Sequence, residues 1–378
     1  MERGLYIHVP FCIKKCNYCD FNSFKFTKED KENYIESLIK EINIYSKKLK
    51  ENYFSTFFIG GGTPTVLSES ELKSIFENIY SGFNIKKDAE ITIEANPGTL
   101  TKEKLKTLYD LGVNRLSVGL QASQQEHLDF LGRIHSYEEF EKNFNDAKDI
   151  GFKNINVDLM FSLPNQSFND WKETLEKVVN LNPTHISAYS LIIEDETVFG
   201  NMHKKGELNI LDEEIELRMY HYTKDYLKNK GYNQYEISNF SKSGYECKHN
   251  ILYWKCKEYL GLGPGAHSYI EGVRYSNYCS LEKYFKRLNN DDLPIECSQK
   301  LEKKDKLEEK IFMGLRMKEG IYFKEFEEYF KIDFMKEYKD VIEKLKNEGL
   351  INFTKDRLYL TDKGIDISNK VFVEFLKD

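Results

Sequence analysis

Short apolar runs, each followed by a longer amphipathic stretch, succeed one another through the first half of the chain. The runs are Leu5–Val9, Thr56–Ile59, Glu90–Glu94, Arg115–Leu120, Asn154–Met160 and Ile186–Leu191, with β-branched and aromatic residues prominent. Between them, Lys28–Leu49, Glu69–Tyr80, Lys102–Leu111, Tyr137–Ile150 and Asn169–Leu181 carry apolar residues at helical spacing. Thr27 and Ser68 stand ahead of acidic first turns, and Thr101 precedes Glu103, all helix-start signals. Strand–helix units in series call for a parallel sheet, because a parallel return needs a crossover. Six strands are too few for a closed eight-stranded barrel. The expected fold is therefore α/β, a partial (β/α)6 barrel, with function at the strand C-termini.

Beyond Leu191 the pattern loosens. A helix is expected over Asp212–Lys230, then Tyr232–Ile237, then a glycine-rich loop at Gly261–Gly265. From about Leu301 the composition shifts to charged helical stretches. Leu350–Phe353 and Arg357–Leu360, joined by a short polar turn, read as a hairpin, and Lys363–Leu376 as a last helix. The expected division is a core domain over 1–285 and a smaller α+β, winged-helix-like domain over 286–378. The second lacks a basic recognition face, which leaves it a structural or partner-docking role.

In 378 residues, 31% are charged and 40% apolar, with a net charge of −7 and Lys and Glu mixed along the length. That describes a globular chain and argues against a general nucleic-acid binder. No apolar stretch comes near the roughly 20 residues a membrane span needs. The N-terminus has no signal-peptide core, so the expected location is the cytoplasm, where thiols stay reduced. Seven cysteines, an odd number, fit poorly with a disulfide framework. Cys247, Cys256, Cys279 and Cys297 are scattered and read as buried or idle thiols.

The remaining three are not scattered. Cys12-Ile-Lys-Lys-Cys16-Asn-Tyr-Cys19 follows the first strand directly. Three sulfurs at this spacing can hold three irons of a [4Fe–4S] cluster and leave the fourth open to a small molecule. A structural zinc site would want four closed ligands, and only His8 lies nearby in sequence. After the second strand comes Gly60-Gly61-Gly62-Thr63-Pro64-Thr65. Such a run lets backbone approach a ligand and expose amides to a carboxylate, or it serves only as a tight turn.

The C-x3-C-x2-C pattern, with Tyr18 before its third cysteine, resembles the signature of the radical S-adenosylmethionine (SAM) superfamily. The resemblance implies a [4Fe–4S] cluster on Cys12, Cys16 and Cys19, SAM on the open iron, and an electron donor for the cluster. It also implies that Gly61, Gly62 and Thr63 contact the methionyl part of SAM. Downstream, the chain resembles the oxygen-independent coproporphyrinogen III oxidase family. Tyr6, Glu94 in Ile-Glu-Ala-Asn-Pro, Gln121, Arg133 and Asp158 fall on that family's SAM positions. Carboxylates can accept from ribose hydroxyls or an ammonium, and Arg133 can neutralise a carboxylate. Any one of them alone reads equally as a cap or an ion pair.

Two departures are similar to the heme-chaperone relatives of that oxidase. Phe21 stands where the oxidase has a further cysteine, and only eleven residues precede Cys12. His249-Asn-Ile-Leu-Tyr253-Trp254 matches a heme-associated H-N-x-x-Y-W motif. On that resemblance His249 would ligate heme iron while Tyr253 and Trp254 pack on the porphyrin. By itself His249 reads as an ordinary core histidine. Gly261–Ser268 matches a family G-x-G-x-G-A-x-S run, taken as a close-packed loop beside the site. At Ser162 and Asn165 relatives commonly have glycine. The implied function is a chaperone that passes heme to respiratory acceptors; whether it forms a homodimer or makes peripheral membrane contact on delivery stays open. The alternative is coproporphyrinogen III dehydrogenase, forming protoporphyrinogen IX; whether SAM is cleaved stays open.

Overall fold

The computed structural model describes residues 3–376. The expected strands form as β1 (Arg3–Val9), β2 (Tyr53–Gly61), β3 (Asn84–Ala95), β4 (Arg115–Gln121), β5 (Asn154–Phe161) and β6 (His185–Ser190). They pair in that order, all parallel. The chain then adds β7 (Asn233–Gln234), β8 (Asn239–Ser241), β9 (Tyr259–Leu262), β10 (His267–Ile270), β11 (Val273–Asn277) and β12 (Ile295–Lys300). The sheet has 12 strands in the order β12-β11-β10-β9-β1-β2-β3-β4-β5-β6-β8-β7. Its end strands do not pair with each other, so it stays open as expected.

The site follows from strand periodicity. Side chains alternate between faces, and in β1–β6 one set is apolar and the other polar. Leu5, Ile7 and Val9, Phe57 and Ile59, Ile91 and Ile93, Leu116 and Val118, and Ile155 and Val157 all join one buried core. That core includes Leu38 and Ile42, Leu72 and Ile75, Phe140 and Phe144, and Trp171 and Leu175 of the covering helices. Register aligns the other set across the sheet: Tyr6 with Phe58, Phe58 with Thr92, Thr92 with Arg115, and Ser117 with Asn156. A polar interior results, and its upper rows carry the site.

The covering helices start on capping residues, of which the sequence signals Thr27 and Ser68. Thr27, Ser68, Ser136 and Ser167 each close a capping box, with Asp30, Glu71, Glu139 and Asp170. Each such cap contributes about 1 kcal/mol. Asp212 likewise caps the helix Glu213–Asn229.

A second apolar core, with Ile311, Leu315, Phe326, Phe334 and Leu358, begins at Leu307, after β12 has completed the edge of the large sheet. It surrounds an antiparallel sheet of β13 (Ile321–Tyr322), β14 (Ile351–Phe353) and β15 (Arg357–Leu360), in the order β13-β15-β14. The expected hairpin is β14–β15. The single helix expected over Lys363–Leu376 is instead two short ones, Asp362–Asp366 and Ser368–Val373, separated at Ile367, whose ψ of 35° leaves the helical range. The loop expected over Gly261–Gly265 starts later, because Gly261 and Leu262 belong to β9 and pair beside β1. Among the described residues, no helix is long and apolar enough to cross a membrane.

Candidate functional site

The cysteine loop leaves β1 and is closed at its base by two backbone hydrogen bonds, Cys12 N–H to Phe24 O and Phe24 N–H to Pro10 O. Phe11 anchors that base, fully buried against Phe26 and Tyr34. The far side is tied to the helix Gln125–Leu131, where Asn17 donates to the carbonyls of Phe130 and Leu131. That helix delivers Arg133, which donates to Cys16 Sγ at 3.6 Å and to Gly119 O at 2.5 Å. Cys12 Sγ lies 3.5 Å from Thr63 Oγ1.

Cys12, Cys16, Cys19, Gly61, Gly62, Thr63, Glu94, Gln121, Arg133 and Asp158 all line one cavity of about 340 Å³ at the strand C-termini. Residues from β2, β3, β4 and β5 and from the loops between the elements meet there. The glycines act through close approach: a Cβ at Gly62 would lie 2.6 Å from Phe11 O, and Gly61 has φ +108°. Their amides do not face a ligand as the sequence suggested. Gly61 N–H donates to Glu94 Oε2, Gly62 N–H to Val9 O and Thr63 N–H to Phe11 O.

Burial, and then the Asp158 carboxylate, push the Glu94 carboxyl up to about 8. Asp158 accepts from Ser117 Oγ at 3.0 Å and Asn156 Nδ2 at 2.8 Å. Arg133 Nε is buried without a hydrogen-bond partner, an orphan donor beside the thiols. The three sulfurs do not converge on a point as a single ion requires; they stand around a shared space. Thiols for a multi-iron group, buried carboxylates for a cation and a spare guanidinium donor make a set that fits a cluster with a zwitterionic cationic ligand.

Tyr6 does not face this space. It lines an adjoining cavity of about 610 Å³ with Tyr253 and Trp254, and the two cavities meet at Phe21, Gly61 and Glu94. His249 lines neither. It is 1% exposed and stacked on Phe58 at 5.0 Å, with Nδ1 2.8 Å from Thr56 Oγ1 and Nε2 2.8 Å from Tyr253 Oη. Burial, and then the nearby Arg115 charge, lower its pKa to about 3, so the ring is neutral. Its helix, Lys248–Trp254, is held by Glu90 of β3, which accepts from the amides of Lys248 and His249. Trp254 Nε1 is buried without a partner, and its ring lies under Arg316 at 4.6 Å.

Sequence reasoning missed Asn96, Ser117 and Tyr189 on the smaller cavity. It also missed Lys257, His267, Arg274, Glu309 and Met313 on the larger one. Tyr189 at the end of β6 carries the same strand-end signal as Glu94. Asn96 directly follows β3 and His267 lies in the Gly261–Ser268 run, whereas Lys257, Arg274, Glu309 and Met313 carry no such signal, since separate segments bring them together.

A parallel sheet with three thiols at its C-terminal mouth is the arrangement of a radical SAM domain, and a model of the Radical SAM superfamily matches residues 6–178. A HemN C-terminal domain matches 301–367. The chain is 40% identical to the heme chaperone HemW of Lactococcus lactis over 374 residues, 99% of this chain and 97% of that protein. To the HemW of Bacillus subtilis it is 38% identical over 375 residues, 99% of each. The chain belongs to the HemW family of the radical SAM superfamily. It shares its fold with coproporphyrinogen III oxidase HemN of Escherichia coli, with a TM-score of 0.87 at 22% identity, covering 99% of this chain and 89% of that one.

Proposed function

We propose that the protein is a heme chaperone that carries a [4Fe–4S] cluster on Cys12, Cys16 and Cys19, binds SAM in the smaller cavity and holds heme in the larger one. One observation carries the reading: a cavity lined by thiols and carboxylates opens, at Phe21, Gly61 and Glu94, onto a larger one walled by tyrosines and Trp254. When bound, the cluster supplies one electron at low potential to a sulfonium. Glu94, Gln121 and Asp158 are the residues to hold the ammonium and ribose of SAM, and Arg133 its carboxylate. Gly61 and Gly62 admit the ligand by keeping the wall thin. Phe21, 59% exposed, lines both spaces.

The reading requires an electron donor for the cluster and acceptor proteins, respiratory ones, for the heme; the C-terminal module is the part available to dock them. It places the protein in the cytoplasm. Anaerobic reconstitution followed by titration with hemin tests it. A stoichiometric Soret band is expected, together with iron and sulfide that disappear in Cys16→Ala. No heme uptake, with formation of protoporphyrinogen IX from coproporphyrinogen III, would instead establish the dehydrogenase.

A further inference from the structure

Three histidines bear on the larger cavity or its wall, and two of them are already engaged. His8 Nδ1 is 3.0 Å from Tyr6 Oη, and its Nε2 is 2.8 Å from Asn22 O. His249 is bonded through both nitrogens to Thr56 and Tyr253, away from the cavity surface. Neither can reach a metal without giving up a buried hydrogen bond. His267 differs. It opens β10, it is exposed to the cavity, and its ring nitrogens make no hydrogen bond among the described residues.

The remaining soft donors on this wall are Cys256, Cys279 and Met313. A thiolate, not a thiol, ligates metal, and burial pushes the Cys256 thiol up to about 11 and raises Cys279 as well. Partial desolvation and then the nearby Arg274 charge lower the His267 pKa, which favours the neutral, ligating imidazole. Tyr253, Trp254, Tyr259 and Tyr269 supply flat apolar walls around it. Lys257 lies on the same surface, beside Arg274, whose guanidinium is paired with the carboxylate of Glu309.

We propose that His267, and not His249, is the protein ligand to the iron of a porphyrin held in the larger cavity, while His249 sets the position of Tyr253. This rests on the heme-binding reading above and names the ligand within that site. The geometry behind it is the free imidazole on an aromatic cavity and the doubly bonded imidazole behind the wall.

The test is hemin titration of the reconstituted full chain, read by absorption and magnetic circular dichroism. The wild type is expected to show an imidazole-ligated spectrum. His267→Ala is expected to lose it, with affinity lower by on the order of tenfold to a hundredfold, and to regain it with free imidazole. His267→Cys is expected to convert it to a thiolate spectrum, which a merely structural role would not do. His249→Phe keeps the ring volume and is expected to keep the imidazole spectrum; should it fail to fold, the His267 variants decide alone. If the wild type binds hemin and both His267 variants leave its spectrum and affinity unchanged, the assignment is overturned and the heme reading stands. If the wild type binds no hemin, the heme reading itself falls.

Discussion

The guanidinium of Arg316 lies 4.6 Å over the indole of Trp254 and 3.7 Å from the buried carboxylate of Glu236. One side chain of the C-terminal module thus supports both a wall of the larger cavity and an interior charge of the sheet domain. Glu236 Oε2 has no hydrogen-bond partner among the described residues, so Arg316 is its main compensation. Arg316→Ala is expected to lower the unfolding free energy by about 2–4 kcal/mol, because it strands a buried charge. Adding Glu236→Gln should recover most of that. Denaturant titration of the two variants checks it, and a loss under about 0.5 kcal/mol would mark the pair as an ordinary surface contact.

Glu41 gives stability a pH dependence opposite to that of most carboxylates. It accepts from Gly263 N–H, Asn277 and Tyr284 in full burial, and burial still pushes its pKa up to about 7. The folded chain therefore holds a proton that the unfolded chain releases. The contribution is full below the ordinary value of 4.5 and is lost as pH rises through 7. Relative to Glu41→Gln, the wild type should be more stable at pH 5 than at pH 8 by about 2.5 kcal/mol. A flat difference across that window refutes it.

Ser162 and Asn165 both sit in the left-handed region, with φ of 61° and 62°, a conformation that favours glycine. Each has a side-chain bond in partial return, Ser162 Oγ to Glu216 Oε2 at 3.0 Å and Asn209 Nδ2 to Asn165 Oδ1 at 2.8 Å. Ser162→Gly relieves about 1 kcal/mol of strain and loses about as much in the hydrogen bond, so stability should hardly move. Ser162→Ala keeps the strain and loses the bond, for a cost of about 1 kcal/mol. Thermal melts of the pair that fail to separate would contradict this.

The parts of the fold legible in the sequence are those whose signals are local. Thr27 and Ser68 mark helix starts because their hydroxyls and the acids three residues on close the cap themselves. Helix Gln125–Leu131 was missed because Gln124 offers no side-chain cap, and Lys248–Trp254 because its cap is Glu90 from a distant strand. The smaller cavity was legible because its residues recur at strand ends, a position fixed by topology. The larger one was not, since His267, Arg274 and Glu309 meet only after β9–β12 and the helix Lys303–Arg316 pack together.

Glu94 predicts a calorimetric signature. With its pKa at about 8 the carboxyl is mostly protonated at pH 7, and a cationic ligand in the smaller cavity favours the ionised form. Binding of SAM to the cluster-loaded protein should release a proton, so the measured heat should vary with buffer ionisation enthalpy. Glu94→Gln should abolish that variation and weaken binding about tenfold. Equal heats in all buffers for the wild type would exclude the role.

The reliance of Lys248–Trp254 on Glu90 also sets an order of events in the growing chain. A helix of seven residues does not persist by itself in water. Its first two amides wait for a carboxylate 158 and 159 residues nearer the start. The motif that carries Tyr253 and Trp254 therefore takes shape only on a sheet already assembled, and a ribosome halted before Cys247 would release a chain with the smaller cavity framed and the larger one missing its aromatic wall.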